Sequence, residues 1–239
     1  MMQDGRIPGA MDTGLYIAAS GMLAQQVRED QLANDLSNAS TPGYKTDASV
    51  QQSFGSLLLA NTATGQPIGS VNTGVKLGTP VTDLTPEALH STGQPLDFGI
   101  AGAGFFAVRT PQGVQFTRDG QFAESAQGLL VDGQGNDVLS QNGAPIKVSA
   151  QGTVPASSVG AFSVTNPTKQ GENYYTGSAA GRASGVVRQG ELENSAVDPV
   201  NTMVHMMTAV QTYQAGENAI QTIDSTMQES SQSVGSLGG

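Results

Sequence analysis

Apolar residues recur every seven positions near both ends of the chain, a spacing typical of a helix that packs along another helix. Near the N-terminus, one series contains Leu15, Met22 and Leu36, and a companion series contains Ala18 and Leu32. Ala19, Leu23 and Val27 widen the stripe that these apolar side chains form. The pattern predicts an amphipathic helix that begins at residue 12.

The C-terminal series is longer and opens with a helix start signal. Asp198 can cap the first N–H groups, and the fixed φ of Pro199 suits the first helical position. The apolar residues that follow at steps of seven are Met206, Tyr213, Ile220, Met227 and Val234, with Met203 and Val210 close to the same line. This series predicts a long helix with a coiled-coil-like seam, and its simplest partner is the N-terminal helix.

The middle of the chain has a different pattern. Short apolar or alternating runs, separated by turns that contain glycine, extend from residue 96 to about residue 164 and resume at Gly185–Glu193. These runs predict a compact all-β module. Residues 46–95 have weak periodicity, which predicts an extended or loop connector.

Together these patterns predict an α+β fold. Long N- and C-terminal helices are expected to pair as a coiled-coil-like stalk, with a central all-β module between them in the chain. The predicted division is a disordered leader over 1–11, an N-terminal helix over 12–45, a connector over 46–95, a β module over 96–192 and a C-terminal helix over 193–239. Helices of this length leave apolar surface for neighbouring copies, which indicates assembly.

Composition narrows the possible functions. The chain has no cysteine, which removes disulfides, thiolate nucleophiles and cysteine-bound metals. Its 10 basic residues are scattered among 20 acidic ones, so no cluster of basic residues is available to bind nucleic acid. The net charge of −10 also disfavours binding to anionic lipid. No apolar run reaches the roughly 18 residues needed for membrane insertion, and no secretory signal peptide pattern is present.

No arrangement of residues indicates an enzyme. His90 and His205 are the only imidazoles, and no Gly-x-Ser-x-Gly nucleophile motif occurs. The glycines of GIAGAGFF lack dinucleotide-binding spacing, and no long helix follows them. The run DGQGND at 132–137 lacks the downstream glutamate of a calcium loop. We therefore predict no catalytic, cofactor-binding or metal-binding residues.

The most informative stretch is LANDLSNASTPGYK, at residues 32–45. Amide and hydroxyl side chains gather at the predicted helix end, where they can satisfy helix-end carbonyl groups and bond to neighbouring subunits. Pro42 disfavours the helical conformation at Thr41, and Gly43 can take positive φ without steric cost. These residues are expected to stop the first helix.

This stretch resembles the signature of the bacterial flagellar rod and hook family. There a first helix ends in an Ala-Asn-Asn-Leu-Ala-Asn-like run, followed by Thr-Pro-Gly-Tyr/Phe-Lys/Arg. The similarity recurs in LYIAASGMLAQQ, in TGQPLDFGIAGAGFFAVRT and FTRDGQF, and in QGELENSAVDPVNTMVHMMTAVQTYQAGENAIQTID, in the family's order. One departure is Asp35, where the family usually has asparagine.

The resemblance implies a structural rod subunit of the intermediate-size class, of the proximal or distal type. It implies export through the flagellar type III export apparatus without a cleaved signal peptide, and a location in the flagellar basal body. The implied partners are copies of itself and other flagellar rod and hook proteins, with no nucleic acid, membrane insertion or cofactor. The terminal helices are expected to fold as subunits stack into a helical tube that transmits torque from motor to hook.

Two groups of residues are expected to serve this function. The predicted subunit-interface residues are Leu15, Met22, Leu32, Asn34, Leu36, Asn38, Met203, Met206, Val210, Tyr213, Ile220 and Met227, and the family signature turn consists of Thr41, Pro42, Gly43, Tyr44 and Lys45. The patterns also fit a secreted or surface β-domain binding protein that uses its helices as a dimerisation stalk. Such a protein would form closed dimers, whereas a rod subunit forms an open helical tube.

Overall fold

The computed structural model describes residues 9–53, 56–60, 67–72, 74–171 and 173–236. Most of the predicted leader, residues 1–8, lies outside these ranges, whereas residues 9–11 are helical. The side chain of Val234, the last member of the C-terminal series, also lies outside the described part.

Two long helices lie near the ends of the chain. Helix α1 spans Gly9–Ser37 and helix α2 spans Pro199–Ser236, so the predicted start of α2 is confirmed. The expected start of α1 at Asp12 is three residues late, because Gly9 lowers helix propensity but does not prevent the residue from being helical. Over the described residues, neither helix is apolar enough to cross a membrane.

Short strands occupy the chain between the helices. In chain order they are β1 (Asp47–Ala48), β2 (Gln51–Ser53), β3 (Ser56–Ala60), β4 (Pro67–Asn72), β5 (Val75–Leu77), β6 (Val81–Thr82), β7 (Leu89–Ser91), β8 (Phe98–Ala101), β9 (Phe106–Thr110), β10 (Gly113–Thr117), β11 (Ala123–Glu124), β12 (Leu130–Val131), β13 (Asp137–Leu139), β14 (Phe162–Gln170), β15 (Tyr174–Arg182), β16 (Val186–Gln189) and β17 (Glu191–Glu193). A single 3₁₀ turn covers Ala156–Ser158.

The chain divides into two compact units. The helical unit contains the described residues of Met1–Asn34, Ala48–Val81 and Val200–Gly239, and the β unit contains those of Asp35–Asp47 and Thr82–Pro199. Residues 35–45, which the sequence analysis grouped with the N-terminal helix, therefore belong to the β unit.

In the helical unit, α1 and α2 contact each other, as the predicted fold requires. Gly14 of α1 lies against Ile223 of α2, and Met22 lies against Gly216, so the two helices run antiparallel. The missing side chain of Gly216 permits this approach, since a Cβ there would come within 2.8 Å of Met22 Cγ. Small residues at such positions allow two helices to pack closely.

The helical unit also contains strands in the predicted connector. Strand β2 pairs with β5 and β3 pairs with β4, both antiparallel. The backbone N–H of Val75 donates to Ser20 Oγ of α1 at 3.3 Å. These short strands pair through backbone hydrogen bonds, which require no alternation of apolar and polar residues that sequence analysis could detect.

The β unit is built on a seven-stranded sheet of order β11-β12-β13-β9-β10-β15-β14, beside the pairs β16–β8 and β17–β7. This confirms the predicted central β module. Its largest buried cluster contains Phe98, Ile100, Phe106, Val108, Phe122, Leu130, Val138, Ile146, Val154, Val159 and Ala161. The rings of Phe106 and Phe122 meet edge to face at 5.2 Å, a favoured geometry for buried aromatic pairs.

Strands β14 and β15 form the longest hairpin of the sheet, and sequence analysis missed it. The Asn166-Pro167 pair suggests a turn, because proline cannot donate to a strand ladder. In the structure these residues lie at an irregularity of the pairing between Thr165 and Thr168, and Asn166 has φ of 50°. The bulge absorbs the proline while the hairpin continues on both sides.

Candidate functional site

The signature turn is buried inside the β unit. Tyr44 is 1% exposed and Lys45 is fully buried. The backbone N–H of Gly43 donates to the carbonyl of Glu193 at 3.0 Å, and that of Ala196 donates to the carbonyl of Tyr44 at 3.0 Å. The turn therefore does more than stop α1, because its backbone is bonded to β17 and the segment that follows β17.

Glycine is required at the centre of this turn. Gly43 has φ of 66°, which L residues with a side chain rarely adopt. A Cβ at this position would also lie 2.3 Å from the carbonyl oxygen of Arg118. Both backbone conformation and space thus exclude a side chain at Gly43.

Three charged side chains meet beneath the turn, and we call them the Glu193 cluster: Lys45, Arg118 and Glu193. Lys45 Nζ lies 2.8 Å from Glu193 Oε1, and Arg118 Nη1 lies 3.0 Å from Glu193 Oε2. All three side chains are at most 3% exposed. The backbone completes the cluster, since the N–H of Glu87 donates to Glu193 Oε1 at 2.8 Å and Lys45 Nζ donates to the carbonyl of Thr85 at 2.6 Å.

The Glu193 cluster brings together three distant segments of the sequence. Lys45 ends the signature turn, Arg118 lies in FTRDGQF, and Glu193 lies in QGELENS. These are the same segments that carry the family resemblance. Sequence analysis did not single out Arg118 or Glu193, because charged side chains are ordinarily exposed and nothing in their spacing shows that they pair.

A third cation, Lys169, contacts the turn at Lys45 and Tyr44. Lys169 Nζ donates to the carbonyl of Lys45 at 2.7 Å and lies 3.0 Å from Asp47 Oδ2. The same ammonium lies 4.2 Å from the centroid of the Tyr44 ring, within the range of a cation–π contact.

Asp35 has a specific partner in the β unit. The Tyr44 hydroxyl donates to Asp35 Oδ1 at 2.8 Å, and the Asp35 side chain is buried. Burial raises the pKa of Asp35 above its ordinary value, although the bond from Tyr44 and the charge of Lys169 oppose this shift. Burial also raises the pKa of Tyr44, and the bond to Asp35 adds to that effect. An asparagine oxygen at position 35 could accept the same bond, which accounts for the exchange of the two residues.

The variant Asp35→Asn is expected to stabilise the β unit near neutral pH. The folded state holds the Asp35 carboxyl at a raised pKa, so the ionised group disfavours folding above that pKa and contributes nothing once protonated in both states. We expect a gain at neutral pH that shrinks as the pH falls and is lost below about pH 3, where the carboxyl is protonated in both states. Hydrogen exchange of β-unit peptides across a urea series measures it.

The control for this variant is Asp35→Ala, which removes the acceptor of the Tyr44 hydroxyl. That change should cost about 1–3 kcal/mol at acidic pH and less at neutral pH, where it also removes the unfavourable charge. A gain for Asp35→Asn that is equal at neutral and acidic pH would contradict the role assigned to the carboxylate charge.

The predicted interface residues of α1 fall into two groups. Leu15, Met22 and Leu32 are partly buried in the helical unit, where Asn34 is exposed. Leu36 and Asn38 belong to the β unit, where Leu36 is partly buried and Asn38 is buried. The Thr41 hydroxyl donates to Asn38 Oδ1 at 3.2 Å, and Ser195 Oγ donates to the Asn38 carbonyl at 3.0 Å.

One face of α2 is covered within the helical unit, and another face is exposed to solvent. The covered positions step along the helix by four and three residues: Thr202, Met206, Ala209, Tyr213, Gly216, Ile220, Ile223 and Met227, with Val210 partly buried beside them. This is the spacing of a coiled-coil seam. Sequence analysis placed Met206, Tyr213, Ile220 and Met227 on the seam but missed Thr202, Ala209 and Gly216, whose small or polar side chains carry no hydrophobic signal.

Large apolar side chains lie on the exposed surface of both helices. On α2 we define the α2 stripe as Val200, Met203, Val204 and Met207, which are 48–70% exposed and follow one helix face. On α1, Tyr16, Leu23 and Val27 are 43–61% exposed and form the α1 stripe. Met203 is the one residue of the predicted interface set that lies in either stripe.

Two residues that were considered as possible metal ligands or catalytic groups, Asp132 and His90, form hydrogen bonds within the β unit. Asp132 Oδ1 accepts bonds from the backbone N–H groups of Gln134 and Asn136, so the DGQGND run is a turn closed on its own aspartate. His90 Nδ1 lies 2.7 Å from Asn194 Oδ1. Among the described residues, no group of His, Asp and Glu side chains is placed to hold a metal ion.

Comparison with known families and proteins gives consistent matches along the chain. Residues 15–45 match the family described as "Flagella basal body rod protein", residues 99–161 match "Flagellar hook protein FlgE/F/G D1 domain", and residues 188–233 match "Flagellar basal body rod FlgEFG protein C-terminal". The three matches include the signature turn, the central strands of the β unit and most of α2.

Whole proteins match over nearly their full lengths. The flagellar basal-body rod protein FlgG of Bacillus subtilis (strain 168) is 31% identical over 254 aligned residues, which cover 90% of this chain and 96% of that protein. The flagellar hook-basal body complex protein FlhO of the same organism is 30% identical, covering 94% and 99%. The flagellar basal-body rod protein FlgF of Mesorhizobium japonicum is 28% identical, covering 95% and 99%.

These matches extend through both terminal helices and the β unit, so they favour a rod subunit over a surface β-domain protein with a dimerisation stalk. They agree with the three segments that meet at the Glu193 cluster. The chain belongs to the flagellar basal-body rod FlgE/F/G family, whose members are structural proteins of the flagellar rod.

Proposed function

We propose that this chain polymerises with copies of itself and with other flagellar rod and hook proteins through its terminal helices. The observation that supports this most directly is the α2 stripe. One face of α2 is already covered by the seam, yet four large apolar side chains on another face remain exposed. Contiguous exposed apolar residues on a helix are typical of an interaction surface.

The predicted interface set then divides by role. Met22, Ile220 and the other seam residues pack α1 and α2 on each other, while Met203 and the rest of the α2 stripe contact a neighbouring subunit. Asn34 of α1 is exposed and can add a directional hydrogen bond to such a contact. Burying the half that remains exposed of each large apolar side chain of the stripe is worth roughly 1 kcal/mol, and the gain recurs in every copy.

Export and assembly follow from the same helices in this proposal. The subunit leaves the cytoplasm through the flagellar type III export apparatus with its terminal helices unfolded, and the helices order when it joins the helical tube. Ordering costs on the order of 1–2 kcal/mol per residue in backbone entropy, which contacts with neighbouring subunits offset. The finished tube transmits torque from motor to hook.

The double variant Met203→Asp, Met207→Asp is expected to abolish incorporation into the rod. Both side chains lie on the exposed α2 stripe, so the charges are tolerated in the free chain but must be desolvated at a subunit contact. Swimming motility and the presence of the variant in purified basal bodies measure the effect, and we expect a complete loss of both.

The matched control is Thr208→Asp, Thr212→Asp, which places two charges with the same four-residue spacing at exposed positions on a different face of α2. This control should swim normally. Hydrogen exchange of β9 and β10 should be unchanged in both variants. Normal motility of the Met203, Met207 double variant would refute the proposed contact.

A further inference from the structure

A cavity in the β unit is lined by two arginines. It has a volume of about 290 Å³, and its walls include Arg118, Arg182, Ser163 and Ser184 together with apolar residues such as Leu84 and Phe105. The volume is close to the lower end of the range for ligand pockets and suits a single small group. The polymerisation proposed above makes no use of this cavity.

Arg118 is buried but incompletely bonded. The side chain is 3% exposed, and its one hydrogen bond within the described residues runs from Nη1 to Glu193. Its Nε is buried without a hydrogen-bond partner in the described structure. The guanidinium also lies 5.2 Å from the centroid of the Phe105 ring, which supplies a weak contact and no acceptor.

The Glu193 cluster carries an excess positive charge. Lys45 and Arg118 both pair with the single carboxylate of Glu193. The carboxylate of Asp47 is engaged by Lys169. Lys45 also interacts electrostatically with the carboxylate of Asp83, whereas Arg118, among the described residues, has only the shared carboxylate of Glu193. Buried charges in proteins are ordinarily balanced by a partner of opposite sign, so Arg118 is the cation of this cluster that lacks part of its counter-charge.

Arg182 adds a second cation at the same cavity. It is exposed at the end of β15, and no ion pair or hydrogen bond joins its side chain to another described residue. Guanidinium groups match the two oxygens of a carboxylate, and serine hydroxyls can donate to such oxygens.

We propose that this cavity is an oxyanion-binding site that accepts a carboxylate group, with Arg118 and Arg182 as its cationic walls. The apolar surface of Leu84 and Phe105 suits the carbon that bears the carboxylate better than a free inorganic ion. The carboxylate can come from a small acid in solution or from an acidic side chain of a second copy of the chain, which carries 20 Asp and Glu residues.

The test is an NMR titration of the full-length chain with sodium acetate, against sodium chloride at equal ionic strength. The side-chain Nε–H signals of Arg118 and Arg182 and the backbone amide of Ser184 report on the cavity. We expect saturable shifts with acetate and none with chloride. In Arg182→Gln, acetate should bind at least about tenfold more weakly, as loss of a charge-assisted hydrogen bond predicts.

Arg188→Gln is the matched control, because Arg188 is an exposed arginine on β16 outside this cavity. The affinity of this variant for acetate should equal that of the unaltered chain. Shifts that stay linear, equal those with chloride or survive unchanged in Arg182→Gln would overturn the proposal. Tighter binding of inorganic phosphate than of acetate would overturn the choice of a carboxylate. A final comparison identifies the source of the carboxylate. If an acidic side chain of a second copy supplies it, acetate should slow polymerisation. If a small acid in solution supplies it, acetate should leave the rate of polymerisation unchanged.

Discussion

The variant Glu193→Gln is expected to lose about 3–5 kcal/mol of the free energy of unfolding of the β unit. Glu193 is the carboxylate that pairs with both Lys45 and Arg118, at 2.8 and 3.0 Å, and all three side chains are buried. The amide retains the size of the carboxylate but leaves two buried cations without a counter-charge. It also weakens the acceptor for the backbone N–H of Glu87.

Hydrogen exchange read by mass spectrometry on peptides from β9 and β10, across a urea series, measures this loss. Glu191→Gln is the matched control on the same strand: Glu191 forms a long, solvent-exposed pair with Arg188 at 3.6 Å. Such pairs contribute at most about 1 kcal/mol, so the control should change little. Equal losses in the two variants would show that the Glu193 cluster adds nothing beyond a surface pair.

The variant Gly43→Ala is expected to destabilise the β unit by at least about 2 kcal/mol. Holding an L residue in the left-handed region costs roughly 1–2 kcal/mol, and forcing extra atoms into a packed site adds about 1–3 kcal/mol. Both costs apply, since φ is 66° and a Cβ would lie 2.3 Å from the carbonyl oxygen of Arg118. That oxygen belongs to backbone, which cannot move aside as a flexible side chain can.

Gly93→Ala separates the two costs. Gly93 has φ of 70°, close to that of Gly43, but a Cβ there would meet nothing within 4 Å. Its loss should be confined to the conformational cost. The same urea series compares the variants, and an equal loss at both positions would show that the approach to Arg118 is unimportant.

These predictions give the family signature a physical role in this chain. The signature turn is bonded to β17 through its backbone, and Lys45 shares Glu193 with Arg118. A substitution in any of the three segments should therefore weaken the contacts of the other two. If such a change keeps the subunit out of the rod, the cause is that the β unit does not fold. If a change in the α2 stripe keeps the subunit out of the rod, the cause is the loss of a contact between subunits.

The sequence alone was sufficient to predict the two long helices, the strand-rich centre of the chain and the protein family. A period of seven is produced by side chains that share one helix face, so α1 and α2 are visible without any knowledge of their partners. Asp198-Pro199 places the start of α2 because capping and a fixed φ are local properties. Strands such as β9 and β10 are visible because they are short apolar runs bounded by turns that contain glycine, which is also a local feature.

The tertiary structure alone decided what depends on distant residues. It paired β14 with β15 across a bulge at Pro167, and it put small residues such as Gly216 on the helix seam. It also joined Lys45, Arg118 and Glu193, which are far apart in the sequence. Local periodicity reports which face of an element is buried, whereas the pairing of charges and the room for a side chain depend on segments that meet only when the chain folds.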